Sequence, residues 1–299
     1  MGNNDEGIIG KINDGQQVFR YYGGQGDLFS TTARLYTRWI QVPATEEVQA
    51  RLAAALAELH TLAGWTCHDS GMDGSGHFTR ALWLSDKAGD DCGVASAACQ
   101  AGLVLLRNGQ PNYALKFFQL GHIRLQDLTP SKSLPAGAAE SRVQTLTARL
   151  NRTSATAYAA MGGLDEATNH LAKASEGDPP PDAYDHAAAD LGTARVQLDL
   201  GQLDATEQSA TSAVRTYRDN HHRRGHTMAE LVLAEVYLRA GDPRGLTLAH
   251  EAITKVTTLQ SVAVRRELLI PLATALETRP GGDSRDLART ARQLATTPI

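Results

Sequence analysis

Little in this chain suits a sheet, a disulfide framework or a membrane. Aromatic residues make up only 5% of its 299 positions, and alternating runs of valine, isoleucine and aromatics, the mark of a half-buried strand, are hard to find. Their scarcity argues against a substantial sheet and makes an all-helical chain the expectation. Cysteine is sparse: Cys67, Cys92 and Cys99 are an odd number without framework spacing, which predicts free thiols in a reducing cytoplasm. The N-terminus lacks the apolar core of a signal peptide, and no apolar run approaches the roughly 20 residues that cross a bilayer. A cytoplasmic protein with no membrane association is therefore expected.

Positive charge is also in short supply. Twenty-nine Lys and Arg stand against 33 Asp and Glu, a formal net charge of −4, whereas nonspecific affinity for nucleic acid needs a concentrated basic face. The cluster His221-His222-Arg223-Arg224-Gly225-His226 is short and reads as a solvated helix start rather than a phosphate site. Direct nucleic-acid binding by this chain is not expected.

Catalytic motifs are missing too. No Gly-x-Ser-x-Gly elbow or His-Glu-x-x-His helix occurs. The stretch Gly71-Met72-Asp73-Gly74-Ser75-Gly76 lacks the Gly-Lys-Ser/Thr ending and preceding strand of a phosphate loop, so it reads as a turn. His60, Cys67 and His68 fall at helical spacing. Without a second pair at ligand spacing they read as packing residues rather than a metal site. No enzymatic activity, cofactor or metal is predicted.

What the chain does have is punctuation. Gly71, Gly109, Gly162, Gly201, Gly241 and Gly281 recur at intervals of 38, 53, 39, 40 and 40, each between two helical patterns. A glycine takes the left-handed conformation that often ends a helix. The following helix start is marked by residues such as Asp165, Asp204, Pro243 and Pro111. Each unit reads as helix, tight turn, helix. Residues 1–15 form a flexible lead-in, and 16–299 a single solenoid whose N-terminal segment, with Leu28, Leu35, Tyr36 and Trp39 as an apolar stripe, caps the stack. Pro43-Ala44-Thr45-Glu46 starts the next helix, which runs through Leu52, Leu56, Leu59 and Ala63. Pro130 and Pro135 break the long interval before a helix from about Ala136 to Met161, and make 129–136 a candidate hinge. Gly177 to Pro181 is a second break.

Around Gly162, the residues Ala155, Tyr158, Leu164, Ala167, Leu171, Ala174 and Pro179 resemble the tetratricopeptide repeat signature. Gly102, Ala114, Phe118 and Gly121 around Gly109, and Gly64, Phe78 and Ala81 around Gly71, fit it in part. The resemblance implies a right-handed α-solenoid of about five hairpins, in which small residues admit neighbouring backbones and large ones fill the holes. A narrower resemblance runs through Tyr21-Tyr22-Gly23-Gly24, Leu59, Ala63-Gly64-Trp65, Asp69, His77-Phe78-Thr79-Arg80-Ala81-Leu82, Ala88-Gly89-Asp90 and Leu238-Arg239-Ala240-Gly241-Asp242-Pro243. These phrases are similar to the repeat region of actinobacterial Xre/Cro-type helix-turn-helix transcriptional regulators. In that family a DNA-reading domain precedes the repeats, and residues 1–15 are too few to supply one.

Arrays of this kind line a concave groove with the first helix of each hairpin. Counting back from each turn glycine gives Trp65, His68 and Asp69; Gln100 and Arg107; Arg149 and Arg152; Arg195; Glu235 and Arg239. Five arginines on one face favour carboxylate or phosphate groups, because guanidinium offers a planar fork of donors. The competing reading is ordinary solvated arginines whose stems pack on neighbouring helices. The expected partner is a peptide, a protein or a small anionic ligand, bound by the effector part of a regulator or by a freestanding adaptor. Leu268, Leu269, Leu272 and Leu276 are covered either by the last hairpin or by a second copy in a homodimer.

Overall fold

The computed structural model describes residues 24, 26–126, 128, 136–176, 180 and 182–297. The expected lead-in at 1–15, the start of the capping segment through Tyr21-Tyr22-Gly23, and the candidate hinge as far as residue 135 lie outside them. The described residues form thirteen α-helices, one short 3-10 turn at Arg38–Gln41, and no strand. In chain order the helices are α1 (Gly26–Thr37), α2 (Glu46–Asp69), α3 (Ser75–Ala88), α4 (Asp91–Arg107), α5 (Pro111–Gln126), α6 (Ala136–Ala160), α7 (Leu164–Ala174), α8 (Ala183–Asp199), α9 (Leu203–Asp219), α10 (Arg223–Ala240), α11 (Arg244–Val256), α12 (Val262–Glu277) and α13 (Gly282–Thr296).

They fall into two compact units, which part at Asp178 and Pro179. In the first, α1 packs on α2 and is followed by the hairpins α2–α3, α4–α5 and α6–α7. In the second, the hairpins are α8–α9, α10–α11 and α12–α13. Within each unit the first helices are neighbours: α4 lies against α2 and α6, and α10 against α8 and α12. That nesting of hairpins is an α-solenoid arrangement, each hairpin covering an apolar face its neighbour cannot bury alone.

All six punctuating glycines sit at helix ends with positive φ. At Gly241, φ is 79°, and the N–H groups of Gly241 and Asp242 reach back to Leu238 O and Tyr237 O, closing α10 where an L side chain would be strained. His221, φ 58°, does the same work between α9 and α10 without being glycine. Two left-handed corners, Gly89 after α3 and His221 after α9, therefore lie outside the count of six.

Close approach inside the hairpins explains a second set of glycines. A Cβ on Gly64 would sit about 3.0 Å from three ring atoms of Phe78, and one on Gly102 would run into the Phe118 ring. Each is a first-helix glycine facing a second-helix aromatic, the small–large pairing the sequence suggested. Phe118 is 0% exposed, packed among Ala95, Cys99, Ala114, Leu146 and Leu150.

The structure corrects the apolar stripe of α1. Phe29 and Ala33 are buried and Tyr36 and Trp39 pack against the same core as expected, whereas Leu28 and Leu35 are exposed. The spacing 29, 33, 36 selects a face of α1 turned about a third of a turn from the expected one. The C-terminal leucines find cover inside their own unit: Leu269, Leu272 and Leu276 are fully buried in a core shared with α10, α11 and α13. The cluster at 221–226 does begin a helix, α10, but Arg224 is buried rather than solvated. Among the described residues no helix is long and apolar enough to cross a membrane.

Candidate functional site

In the first unit, three levels of polar side chains lie along α4, between α2 and α6. At its start, Asp90 caps the helix by accepting from Gly93 N at 2.9 Å, and its other oxygen meets Arg142 of α6 at 3.4 Å. Glu58 of α2 belongs to this level. Burial of its surroundings raises its carboxyl above the usual range, Arg142 opposes that and Asp90 adds to it; its own surface is open to solvent, so the lift is modest. Replacing Asp90 by Ala is expected to lower stability by about 1–2 kcal/mol, the worth of an N-cap. Asp90→Asn, which keeps the cap acceptor, should lose only a few tenths, both read from urea midpoints.

At the middle level, Arg149 and Arg152 of α6 are half-buried near Cys99 of α4. Burial pushes the Cys99 thiol up, with the two guanidiniums and Thr153 pulling it back. At the far end Arg107 of α4 stacks over the Trp65 ring of α2, 4.7 Å from its centroid, and the His68 ring lies 5.7 Å from the same indole. Eight residues separate Cys99 from Arg107, so the last two levels are about 12 Å apart along the helix. Gln100 is half-buried on α4, and Asp69 is buried at the end of α2, only 1% exposed.

The second unit carries a separate charged cluster over α8, α10 and α12. Arg195 lies 3.8 Å from Glu267, and Arg239 pairs with Glu235 one turn earlier on α10. Burial raises the carboxyls of Asp199 and Glu235, against which Arg195 and Arg239 act. Glu235 is buried, whereas Asp199 is open to solvent. Here the arginines are largely answered by carboxylates of their own unit.

The ten residues expected from the sequence thus divide seven and three between the two units. The structure groups Trp65, His68 and Arg107, sets Arg149 beside Arg152, and brings Arg195, Glu235 and Arg239 into one cluster. Glu58, Asp90, Arg142, Asp199 and Glu267 were missed. Glu58 and Asp199 had a signal, since they stand thirteen and two residues before turn glycines, on the strip already being counted. Asp90, Arg142 and Glu267 lie outside any single turn's count and enter only through neighbouring helices.

His60, Cys67 and His68 do not converge. His60 turns to His77 of α3, and the Cys67 thiol points to Gly26 O at 3.8 Å. No group of three or more His, Cys, Asp or Glu suited to a metal ion occurs among the described residues.

No family model matches the chain, and no curated protein does. Among solved structures the chain is similar to a Rap protein complexed with competence and sporulation factor, at 12% identity and a TM-score of 0.49, over 97% of this chain and 90% of that one. So distant a likeness assigns neither ligand nor partner.

Proposed function

We propose that this helical repeat protein is a noncatalytic binding module and that the α2, α4 and α6 strip of its first unit takes a ligand bearing carboxylate or phosphate groups. One observation carries the reading: Arg142, Arg149 and Arg152 of α6 and Arg107 of α4, all half-buried, gather on one strip of neighbouring helices. Half-buried guanidiniums bind paired oxygens through two parallel hydrogen bonds, and partial removal from water strengthens them. The Trp65–Arg107 stack adds a flat surface for an apolar or planar part of the same ligand. In the second unit Arg195 faces Glu267 and Arg239 faces Glu235, and the ligand is placed on the first unit at Arg149 and Arg152.

We infer further that the module is the sensory part of a transcriptional regulator, passing occupancy to a partner by a shift between conformations. The family phrases between Leu59 and Asp90 and from Leu238 to Pro243 support that reading. An upstream helix-turn-helix in the natural reading frame is its expected companion, and a gene without one favours an adaptor that grips a peptide without switching.

The binding reading is tested by exposing the full chain to arrays of acidic, neutral and basic peptides at low and high salt. Acidic peptides should be retained, with affinity falling as salt rises. Arg149→Ala with Arg152→Ala should weaken them at least tenfold, about 1.4 kcal/mol. Equal retention of all three classes, or an unchanged affinity in the double variant, removes the proposal.

A further inference from the structure

We propose that His60 and His77 form an acid-sensitive latch that holds α1 on the α2–α3 hairpin. Four side chains and one carbonyl line up across three helices. Ser30 Oγ lies 2.9 Å from His77 Nε2, His77 Nδ1 lies 2.9 Å from His60 Nδ1, and His60 Nε2 lies 2.7 Å from Thr37 Oγ1. Thr37 in turn donates to Ala33 O at 2.7 Å. That last bond sets every direction. Thr37 has one hydroxyl proton, so its oxygen accepts from His60 Nε2–H. His60 Nδ1 then accepts from His77 Nδ1–H, and His77 Nε2 accepts from Ser30. Both rings are neutral, and both use both nitrogens. On α1, Ser30, Ala33 and Thr37 recur at helical spacing along the side that carries Phe29 into the core.

This chain of bonds has no room for two extra protons. One can be held by reversing the direction of the His77 end; a second sets two N–H groups against each other at 2.9 Å. Nothing nearby compensates. Arg34 of α1 acts on both rings and Arg80 of α3 on His60, and each ring faces the other. The Cys67 thiol of α2 touches Ser30 and is itself acted on by Asp27 and Asp73. His60 and His77 are 4% and 5% exposed. Burial, then the other ring and the two arginines, hold His60 down at about 3, and burial with Arg34 lowers His77.

Once α1 lifts, both rings meet water and regain values near 6.5. Below that pH His60 favours the open form tenfold per unit and His77 adds at most the same factor, so the opening equilibrium shifts by about tenfold to 100-fold between pH 7.5 and 5.5. Opening withdraws Phe29 and Ala33 from Leu56, Leu59 and Ala63 of the same core. Acid therefore bares an apolar stripe on α2.

Hydrogen exchange on the full chain reads this directly, once rates are corrected for their intrinsic dependence on pH. Amides of α1 should be less protected than those of α4 at both pH values and should lose about tenfold to 100-fold in protection on going to pH 5.5. In a His60→Gln/His77→Gln variant the pH dependence of α1 protection should shrink to a few-fold, whatever its absolute level. Constant α1 protection in the wild type overturns the latch, as does protection of α1 equal to that of α4 throughout, which means the unit opens as one body. If the double variant fails to fold, imidazole NMR of the wild type decides. Proton uptake by both rings together with the loss of α1 protection supports the latch, and α1 release while both rings stay neutral overturns it.

Discussion

Phe118→Ala should cost the first unit about 3–5 kcal/mol, the range for emptying a fully buried aromatic site. The ring is 0% exposed, and its edge fills the space that Gly102 leaves by having no side chain. The pair therefore makes a sharper prediction than either residue alone. In the native background Gly102→Ala gains about 1 kcal/mol of helix propensity but drives a methyl into the ring, and overpacking of this kind costs about 1–3 kcal/mol. The net effect should be destabilising. In the Phe118→Ala background the ring is gone and Ala114 O, at 3.1 Å, is the next neighbour, so the same change should become neutral or stabilising. Urea unfolding of the four proteins measures the cycle; an equal cost of Gly102→Ala in both backgrounds would show that the contact does not set the spacing of α4 and α5.

Acid should unfold the first unit ahead of the second. His60, His77, His122 and His170, all in the first unit, are held below their ordinary range chiefly by burial. A histidine whose folded value is depressed stabilises the fold fully above about pH 6.5. That contribution is lost as pH falls toward the folded value, because the unfolded chain takes the proton first. For His60, held down at about 3, the loss reaches about 1.4 kcal/mol by pH 5.5; His77, His122 and His170 add in the same direction. In the second unit His226 acts in the same sense, but Asp199 and Glu235 have raised values. Such carboxyls bind protons in the folded state first, so acid favours their fold. Glu58 opposes the histidines in the same way in the first unit. The three tryptophans, Trp39, Trp65 and Trp83, all belong to the first unit. Tryptophan fluorescence should therefore report a loss of stability between pH 7 and 5 well before circular dichroism at 222 nm reports loss of the remaining helices. Coincident transitions would show that the buried histidines do not govern the order.

The hairpins were legible because their causes are local. A glycine at a left-handed corner, an Asp or Pro at the next start, and small residues one turn from aromatics act within about 20 residues, and the helix bounds follow them closely. Pro43 to Glu46 gave a start capped by Thr45, which accepts from Val48 N, and the helix expected from about Ala136 to Met161 runs to Ala160. The face of α1 was misjudged because Leu28 and Leu35 are no less apolar than Phe29 and Ala33. Which side is buried depends on where α2 lies, and the sequence of α1 holds no record of that. The corner at His221 was invisible for a related reason: a histidine there accepts a left-handed backbone only because two packed helices require the turn.

For the proposed binding strip the division is similar. Counting back from each corner singled out Trp65, Arg107, Arg149 and Arg152, because residues up to about four turns before a corner keep a fixed direction on their own helix. The count could not show that Arg195 would meet Glu267 across two hairpins, that Glu58 would share a level with Arg142, or that His60 would turn from its sequence neighbours toward His77. On its own the sequence determined helix, corner and the small–large match within a hairpin, since those obey steric rules a few residues long. Tertiary structure decided which charges are answered and which histidines are kept dry, since charge pairing and dehydration depend on distances between helices that only the packed core sets.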